Sequence, residues 1–227
     1  MVRGIHDPIS PSRGTNSPTA MSNHKGDENN RVKADEDYEL VCLCQKGDID
    51  AFEALVEKHQ KKMLNIAYRM IGNYEEACEV VQDAFLAAYR AIKKFRGESR
   101  FSTWLYSIMI NLSKNRLKQV KARFHREGLS IDDPGEDGSR QFRGDPPAHG
   151  LSVVEQLEKR EIQTRVQECI NILEEEYREV LVLRDVQGFS YEEIRDILKI
   201  PDGTVKSRLF RARDALKDCL KKALGDL

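Results

Sequence analysis

Lys206, Ser207, Phe210 and Arg211 fall on one side of a short helical stretch. Thr204 precedes them, Arg208 and Arg213 flank them, and Val205, Leu209, Ala212 and Leu216 make an apolar stripe on the other side. Cationic forks reach base edges and phosphates and a serine hydroxyl serves either, so a helix with this face suits the major groove of a duplex. The segment just before it explains how such a helix would be held. Ser190 and Glu193 have capping-box spacing, and Tyr191, Ile194, Ile197 and Leu198 then share one helical face. Pro201 pushes Ile200 out of the helical region and ends that helix, and Asp202 is expected to cap the next. Residues 188–213 therefore read as a helix-turn-helix. Arg195 is expected beside the crossing helix rather than under it. Lys199 is expected at a left-handed turn, about 1 kcal/mol worse than Gly there. A solvated basic face shielding an ordinary bundle is the plainer alternative, but it does not call for the cap, the turn and the one-sided charge together.

A second constellation lies upstream. Phe95, Phe101, Trp104 and Tyr106 surround the start of a predicted helix that continues through Asn111, Lys114, Asn115, Arg116, Lys118, Lys121, Arg123 and Arg126. Rings beside a cationic stripe suit single-stranded nucleic acid, because unstacked bases lie on the rings while the backbone follows the charge. Asn111 and Asn115, four apart, share a face. The competing reading makes Phe101 and Trp104 core residues; the one-sided basic run and the Asn pair favour the nucleic-acid reading.

The elements that must position these residues are helical throughout. Of 227 residues 40% are hydrophobic and 33% charged, with 37 Lys and Arg against 38 Asp and Glu. The near-zero balance hides segregation: 114–126 and 206–213 are basic, 75–83 and 168–179 acidic. Residues 1–35 are polar and are expected to be a disordered tail, within which Met21 reopens the same composition. From 36 to 126 the apolar spacing predicts four helices: one through Leu40 and Val41, one ended by Gly72, one capped by Asn73, and one that follows the stretch Phe95 to Trp104. Residues 127–150 turn to Gly, Pro, Asp and Ser and read as a flexible linker. Helical periodicity resumes over 151–227, with a break near Glu174. The fold class expected is all-α, with two helical domains joined by that linker.

No run reaches the length of a membrane span, and the N-terminus lacks the apolar core of a signal peptide, so a cytoplasmic chain without membrane insertion is expected. Cys42, Cys44, Cys78, Cys169 and Cys219 are read as small core residues; none has zinc-ligand spacing to a His, and no metal or cofactor is expected. Paired carboxylates, a nucleophile–base set and a phosphate loop are all wanting, which argues against an enzyme. An ordinary helix-turn-helix regulator with a sensor module is the remaining alternative. A sensor module, however, has no need of the aromatic, Asn and cationic set of the first domain.

Three stretches resemble the bacterial extracytoplasmic-function sigma factors of the sigma-70 family. They are Val80-Val-Gln-Asp-Ala-Phe-Leu86, Phe95-Arg-Gly-Glu-Ser-Arg-Phe-Ser-Thr-Trp-Leu-Tyr-Ser-Ile108, and Gly188-Phe-Ser-Tyr-Glu-Glu-Ile194 with Gly203-Thr-Val-Lys-Ser-Arg-Leu-Phe-Arg-Ala-Arg213. The resemblance spans roughly residues 36–225. It implies a non-enzymatic subunit that binds core RNA polymerase and directs promoter recognition, melting and initiation in a stress or envelope response. Residues 36–126 would be the region 2-like domain. There Glu79, Gln82, Asp83 and Leu86 would dock on the beta-prime coiled-coil, and Asn111 and Asn115, with Trp104, Arg116 and Lys118, would serve the minus-ten element. Residues 151–227 would be the region 4-like domain, meeting the beta flap and reading the minus-thirty-five element through Thr204, Lys206, Ser207, Phe210 and Arg211, with Arg208 on phosphate. Promoter DNA and an anti-sigma factor are the further partners implied. The polymerase would hold the linker stretched, because roughly 25 residues span only about 25–30 Å as a free coil, whereas promoter elements some seventeen base pairs apart lie about 60 Å apart. In this family the linker threads toward the active-site channel, where Asp132, Asp133, Glu136 and Asp137 would mimic nucleic acid.

Overall fold

The predicted breaks at Gly72 and Asn73 and before Pro201 coincide with residues that cannot continue a helix or that start one with a side-chain cap, whereas Glu174 starts its helix without a side-chain cap bond. A computed structural model describes residues 35–127 and 153–225; the expected tail and the linker with its acidic run fall almost wholly outside these. The first half comprises α1 (Tyr38–Gln45), α2 (Ile49–Ile71), α3 (Tyr74–Ala91), a 3-10 turn (Ile92–Lys94) and α4 (Phe101–Glu127). The second comprises α5 (Val153–Ile172), α6 (Glu175–Leu181), a π-helical turn (Val182–Val186), α7 (Tyr191–Leu198) and α8 (Asp202–Leu224). Asp48 and Asn73 accept from the amides of Ala51 and Glu76 to start α2 and α3. Gly72, at φ +84°, closes α2 in the left-handed region that glycine enters without cost. The described residues form two all-helical regions.

Two starts differ from the sequence expectation. Pro201, not Asp202, is the N-cap of α8: its carbonyl receives the amides of Thr204 and Val205, and Asp202 is already the first helical residue. A proline with extended ψ supplies the cap geometry, leaving the Asp202 carboxylate to face the helix N-terminus and Arg195, 3.8 Å away. The helix expected after Trp104 starts at Phe101 instead, because its first turn is held from far away in sequence, where Asp35 accepts the Phe101 amide at 2.7 Å.

The aromatic cluster beside α4 is largely core. Phe101 and Tyr106 are buried, against the expectation that the rings stack on bases, because they close the bundle over α2. Tyr106 and Asp37 sandwich the buried His59, whose ring nitrogens lie 3.1 Å from the tyrosine hydroxyl and 2.9 Å from the carboxylate. Burial alone would raise the Asp37 pKa, but bonds from His59 and Lys58 outweigh it and hold the carboxyl below its ordinary value. The Tyr106 phenol is pushed up, mainly by burial.

The two halves share one core. Arg178 on α6 is 2% exposed and donates to the carbonyls of Met70 (2.6 Å), Leu173 (3.0 Å) and Asn171. It thus caps the end of α2 and the α5–α6 corner together. Gln167 on α5 accepts from Arg69 at 2.9 Å. Phe189 packs edge-on against Tyr106, centroids 5.3 Å apart, beneath the Lys62 ammonium 3.9 Å above its ring. Separate patterning of the two halves gave no sign of this contact.

Cys169 and Cys219 are not isolated core residues. They form a disulfide that ties α5 to α8 across a 50-residue separation, with Cα atoms 5.7 Å apart. Cys44 is buried as expected. Closing a loop of that size stabilises a fold by about 2–4 kcal/mol. Dithiothreitol is therefore expected to lower the melting temperature of the native chain and to leave that of a Cys169→Ala, Cys219→Ala double variant unchanged. Equal melting of the native chain with and without reductant would contradict the crosslink.

Candidate nucleic-acid and polymerase interface

The helix-turn-helix forms as its residues dictate. Ser190 and Glu193 make both capping-box bonds, at 3.1 and 2.8 Å. Lys199 takes the left-handed turn, at φ +56°. Arg195 lies beside the crossing helix, paired with Asp196 at 2.9 Å. Val205, Leu209 and Ala212 are buried, and Leu216 packs partly against them.

On the opposite face Lys206, Ser207, Phe210 and Arg211 are exposed, with Thr204 half-buried at the helix start. Phe210 is 74% exposed, a large ring without a core role in this structure. Arg211 donates to the Tyr177 hydroxyl at 3.4 Å. Arg208 differs from its neighbours: Glu176 and Glu179 hold its guanidinium, the latter at 3.4 Å. Glu179 is 2% exposed, and burial pushes its carboxyl above the ordinary value, against the pull of Lys114 and Arg208.

In the first half Glu79, Gln82, Asp83 and Leu86 are all exposed along α3, beside the buried Val80, Val81, Ala84 and Phe85. Asn111, Asn115 and Lys118 are exposed along α4. Trp104 is half-buried against Phe95 and Phe101, centroids 5.0 and 5.7 Å away. Arg116 is drawn to α3, bonding Glu76 at 3.0 Å and Glu79 at 2.9 Å. It therefore links the residue set expected to meet DNA to the set expected to meet polymerase. Lys114, between the two asparagines in sequence, points instead across to the second half, 2.8 Å from Glu179. Sequence reasoning missed Glu179, whose acidic stretch gave no hint of which carboxylate would be buried. Among the described residues, no group of three or more His, Cys, Asp or Glu is placed to hold a metal ion. Nor is any described helix long and apolar enough to cross a membrane.

Residues 55–123 match the sigma-70 region 2 family and residues 163–216 match sigma-70 region 4. The chain is 42% identical over 196 residues to the RNA polymerase sigma-H factor of Pseudomonas aeruginosa, covering 85% of this chain and 97% of that relative. It is 40% identical over 181 residues to the ECF RNA polymerase sigma-E factor of Escherichia coli K12, covering 79% and 92%. The chain belongs to the extracytoplasmic-function sigma factors of the sigma-70 family. As a sigma factor it binds core RNA polymerase and directs promoter recognition, DNA melting and transcription initiation; its family is one of initiation factors. Among solved structures, CnrH in complex with the cytosolic domain of CnrY aligns at a TM-score of 0.59 and 25% identity, covering 83% of this sigma factor and 99% of CnrH.

The different anchoring of Arg208 and Arg211 has a measurable consequence. Arg208→Ala removes two charge-assisted contacts, one of them to a buried carboxylate, and should cost about 2–3 kcal/mol of stability. Arg211→Ala should stay within about 0.5 kcal/mol of the native chain, as exposed substitutions do. Thermal melts distinguish them; equal stability of both variants would contradict the clamp.

Proposed function

We propose that residues 36–126 dock on polymerase and melt the minus-ten element while residues 151–227 read the minus-thirty-five element. The observation that carries this reading is the free face of α8. Lys206, Ser207, Phe210 and Arg211 stand exposed opposite the buried Val205, Leu209 and Ala212, which suits insertion into a major groove with little rearrangement of the helix. Lys206 and Arg211 read base edges there, with Thr204 and Ser207 beside them. Arg208, oriented by its two glutamates, meets phosphate and contributes affinity without sequence preference. The exposed Asn111 and Asn115 take an extruded base, with Trp104 alongside and Lys118 and Arg116 on the strand. Phe101 and Tyr106 support that pocket from the core. Glu79, Gln82, Asp83 and Leu86 present an acidic, partly apolar face to the beta-prime coiled-coil, and the second half meets the beta flap.

The protein acts in the cytoplasm, as a non-enzymatic subunit without cofactor, and serves a stress or envelope response. An anti-sigma factor restrains it. The structural relative CnrH, solved in complex with the cytosolic domain of CnrY, supports that partner class.

Unstacking a base costs a few kcal/mol, which a pocket must offset. Replacing Asn111 and Asn115 together by Ala should leave binding to core polymerase unchanged and abolish thymine reactivity to permanganate on linear promoter DNA. Native reactivity in the double variant would remove these residues from the pocket. Arg211→Ala should in parallel lose about 1–3 kcal/mol of cognate minus-thirty-five binding and relax specificity at a single base pair.

A further inference from the structure

The crosslink between Cys169 and Cys219 spans the edge of the packed core. Cys169 is 1% exposed. Cys219 is half-buried and lies about two turns beyond Ala212, after which no described residue of α8 is buried. Leu216 packs partly against the core between them. On α5 no described residue before Gln167 is buried. Apolar packing thus ends where the crosslink begins, and the crosslink pins the outer turns of α8 to α5.

The same bond closes a ring of chain around the reading unit. Its 50-residue separation takes in α6, the π-helical turn, α7 and the first turns of α8. Every residue proposed to read the minus-thirty-five element, from Thr204 to Arg211, lies inside that ring. Opening a ring of this size returns conformational freedom to the unfolded chain. One S–S bond therefore sets how firmly the reading unit holds. The free thiols Cys42, Cys44 and Cys78 lie on α1 and α3, outside the ring.

Access to the bond is one-sided, because a solution thiolate meets the half-buried Cys219 sulfur before the buried Cys169. Exposed disulfides are the labile ones, and a disulfide in a reducing cytoplasm is characteristically a responsive one. We propose that Cys169 and Cys219 form a reversible modification site for a low-molecular-weight thiol and its disulfide, and that the closed bond steadies minus-thirty-five recognition. The inference rests on the cytoplasmic and promoter assignments above and adds a covalent control to them. In oxidation the Cys219 thiolate attacks the small disulfide and expels one small thiolate, leaving a mixed disulfide at Cys219. The Cys169 thiolate then attacks the Cys219 sulfur, forming the crosslink and expelling the second small thiolate. The two cysteines give their protons to solvent and the two departing thiolates take up two. Two electrons thus pass from the protein to the small disulfide, and reduction by the small thiol runs the same steps backwards.

The full-length chain is equilibrated in graded mixtures of glutathione and its disulfide, then acid-quenched, alkylated and read by peptide mass spectrometry. Cys169 and Cys219 should pass together from dithiol to crosslink within the series. A bond that survives pure glutathione, or thiols that stay open in pure glutathione disulfide, would overturn the reversible site. Cys169→Ala should accumulate the glutathione adduct at Cys219, and Cys219→Ala none at Cys169; the opposite pattern would overturn the order of attack.

On reduction, α8 amides between Val205 and Leu216 that exchange through opening of the second half should lose protection by roughly thirty-fold or more. Reconstituted holoenzyme should lose a duplex that the native holoenzyme selects from random sequence at a lower temperature when the chain is reduced. The Cys169→Ala, Cys219→Ala chain should match the reduced chain in either buffer. Equal protection and equal heat tolerance of the oxidised and reduced native chain would overturn the control, and that comparison decides the matter even where the double variant does not fold. Selection of no duplex in either state would overturn the promoter assignment and with it the control of recognition, whereas the thiol titration decides the modification site on its own.

Discussion

A guanidinium taken out of water must be surrounded by acceptors, and Arg178 meets that requirement only when the two halves are together. Its bonds to Met70, Asn171 and Leu173 reach the end of α2 and the corner between α5 and α6. Burial lowers its pKa, as desolvation of a cation must, although an arginine stays charged in any accessible pH range. Removing a partner from a buried charge costs about 3–5 kcal/mol, far more than an exposed pair contributes. Separation of the halves in water leaves Arg178 one carbonyl short but gives it solvent instead. The joint is thus strong while dry and separable once wetted. Phe189 and Tyr106 pack edge-on farther along the same seam.

The neighbouring Glu179 faces the opposite difficulty. Burial favours its neutral form, and Lys114 and Arg208 together pull it toward the ionised one. Its two cations come from the two helices proposed to meet promoter DNA, so the charge that organises the second half also holds the first. Phosphate groups compete for the same cations, and a duplex presents one negative charge per about 1.7 Å of axis. On the proposed assignments the free chain and the promoter-bound chain would differ in what neutralises Lys114, a single carboxylate or a row of phosphates. The geometry of α8 need not change between them.

Local features were legible in the sequence because they depend on residues within a turn or two of each other. The Ser190–Glu193 box, the left-handed Lys199, the Gly72 stop and the buried stripe of α8 follow from side-chain chemistry at fixed spacing. Features that failed depend, Asp202 apart, on which surfaces meet. Phe101 and Tyr106 read as a base-stacking platform because an aromatic cluster beside cations looks alike whether it faces solvent or α2. Cys169 and Cys219, fifty positions apart, carry no pairing signal, and only the crossing of α5 by α8 brings them together. Arg116 read as a free cation of the basic run, yet Glu76 and Glu79 on α3 claim it. Asp202 read as a cap because its residue type favours that role, and Pro201 occupies the position by backbone geometry instead. Glu179 was lost among acidic neighbours, since burial, not composition, distinguishes it.

The most direct measurement of the closed joint is a zero-length carbodiimide crosslink between Lys114 and the carboxylates beside it, Glu179 at 2.8 Å and Glu175 at 4.0 Å. An amide forms only where the ammonium and carboxylate touch, and peptide mass spectrometry locates it. The free full-length chain should yield a crosslink from Lys114 to Glu175 or Glu179, and the same chain saturated with core RNA polymerase should lose it. A free chain without either crosslink, or an equal yield with polymerase bound, would contradict this account of the joint.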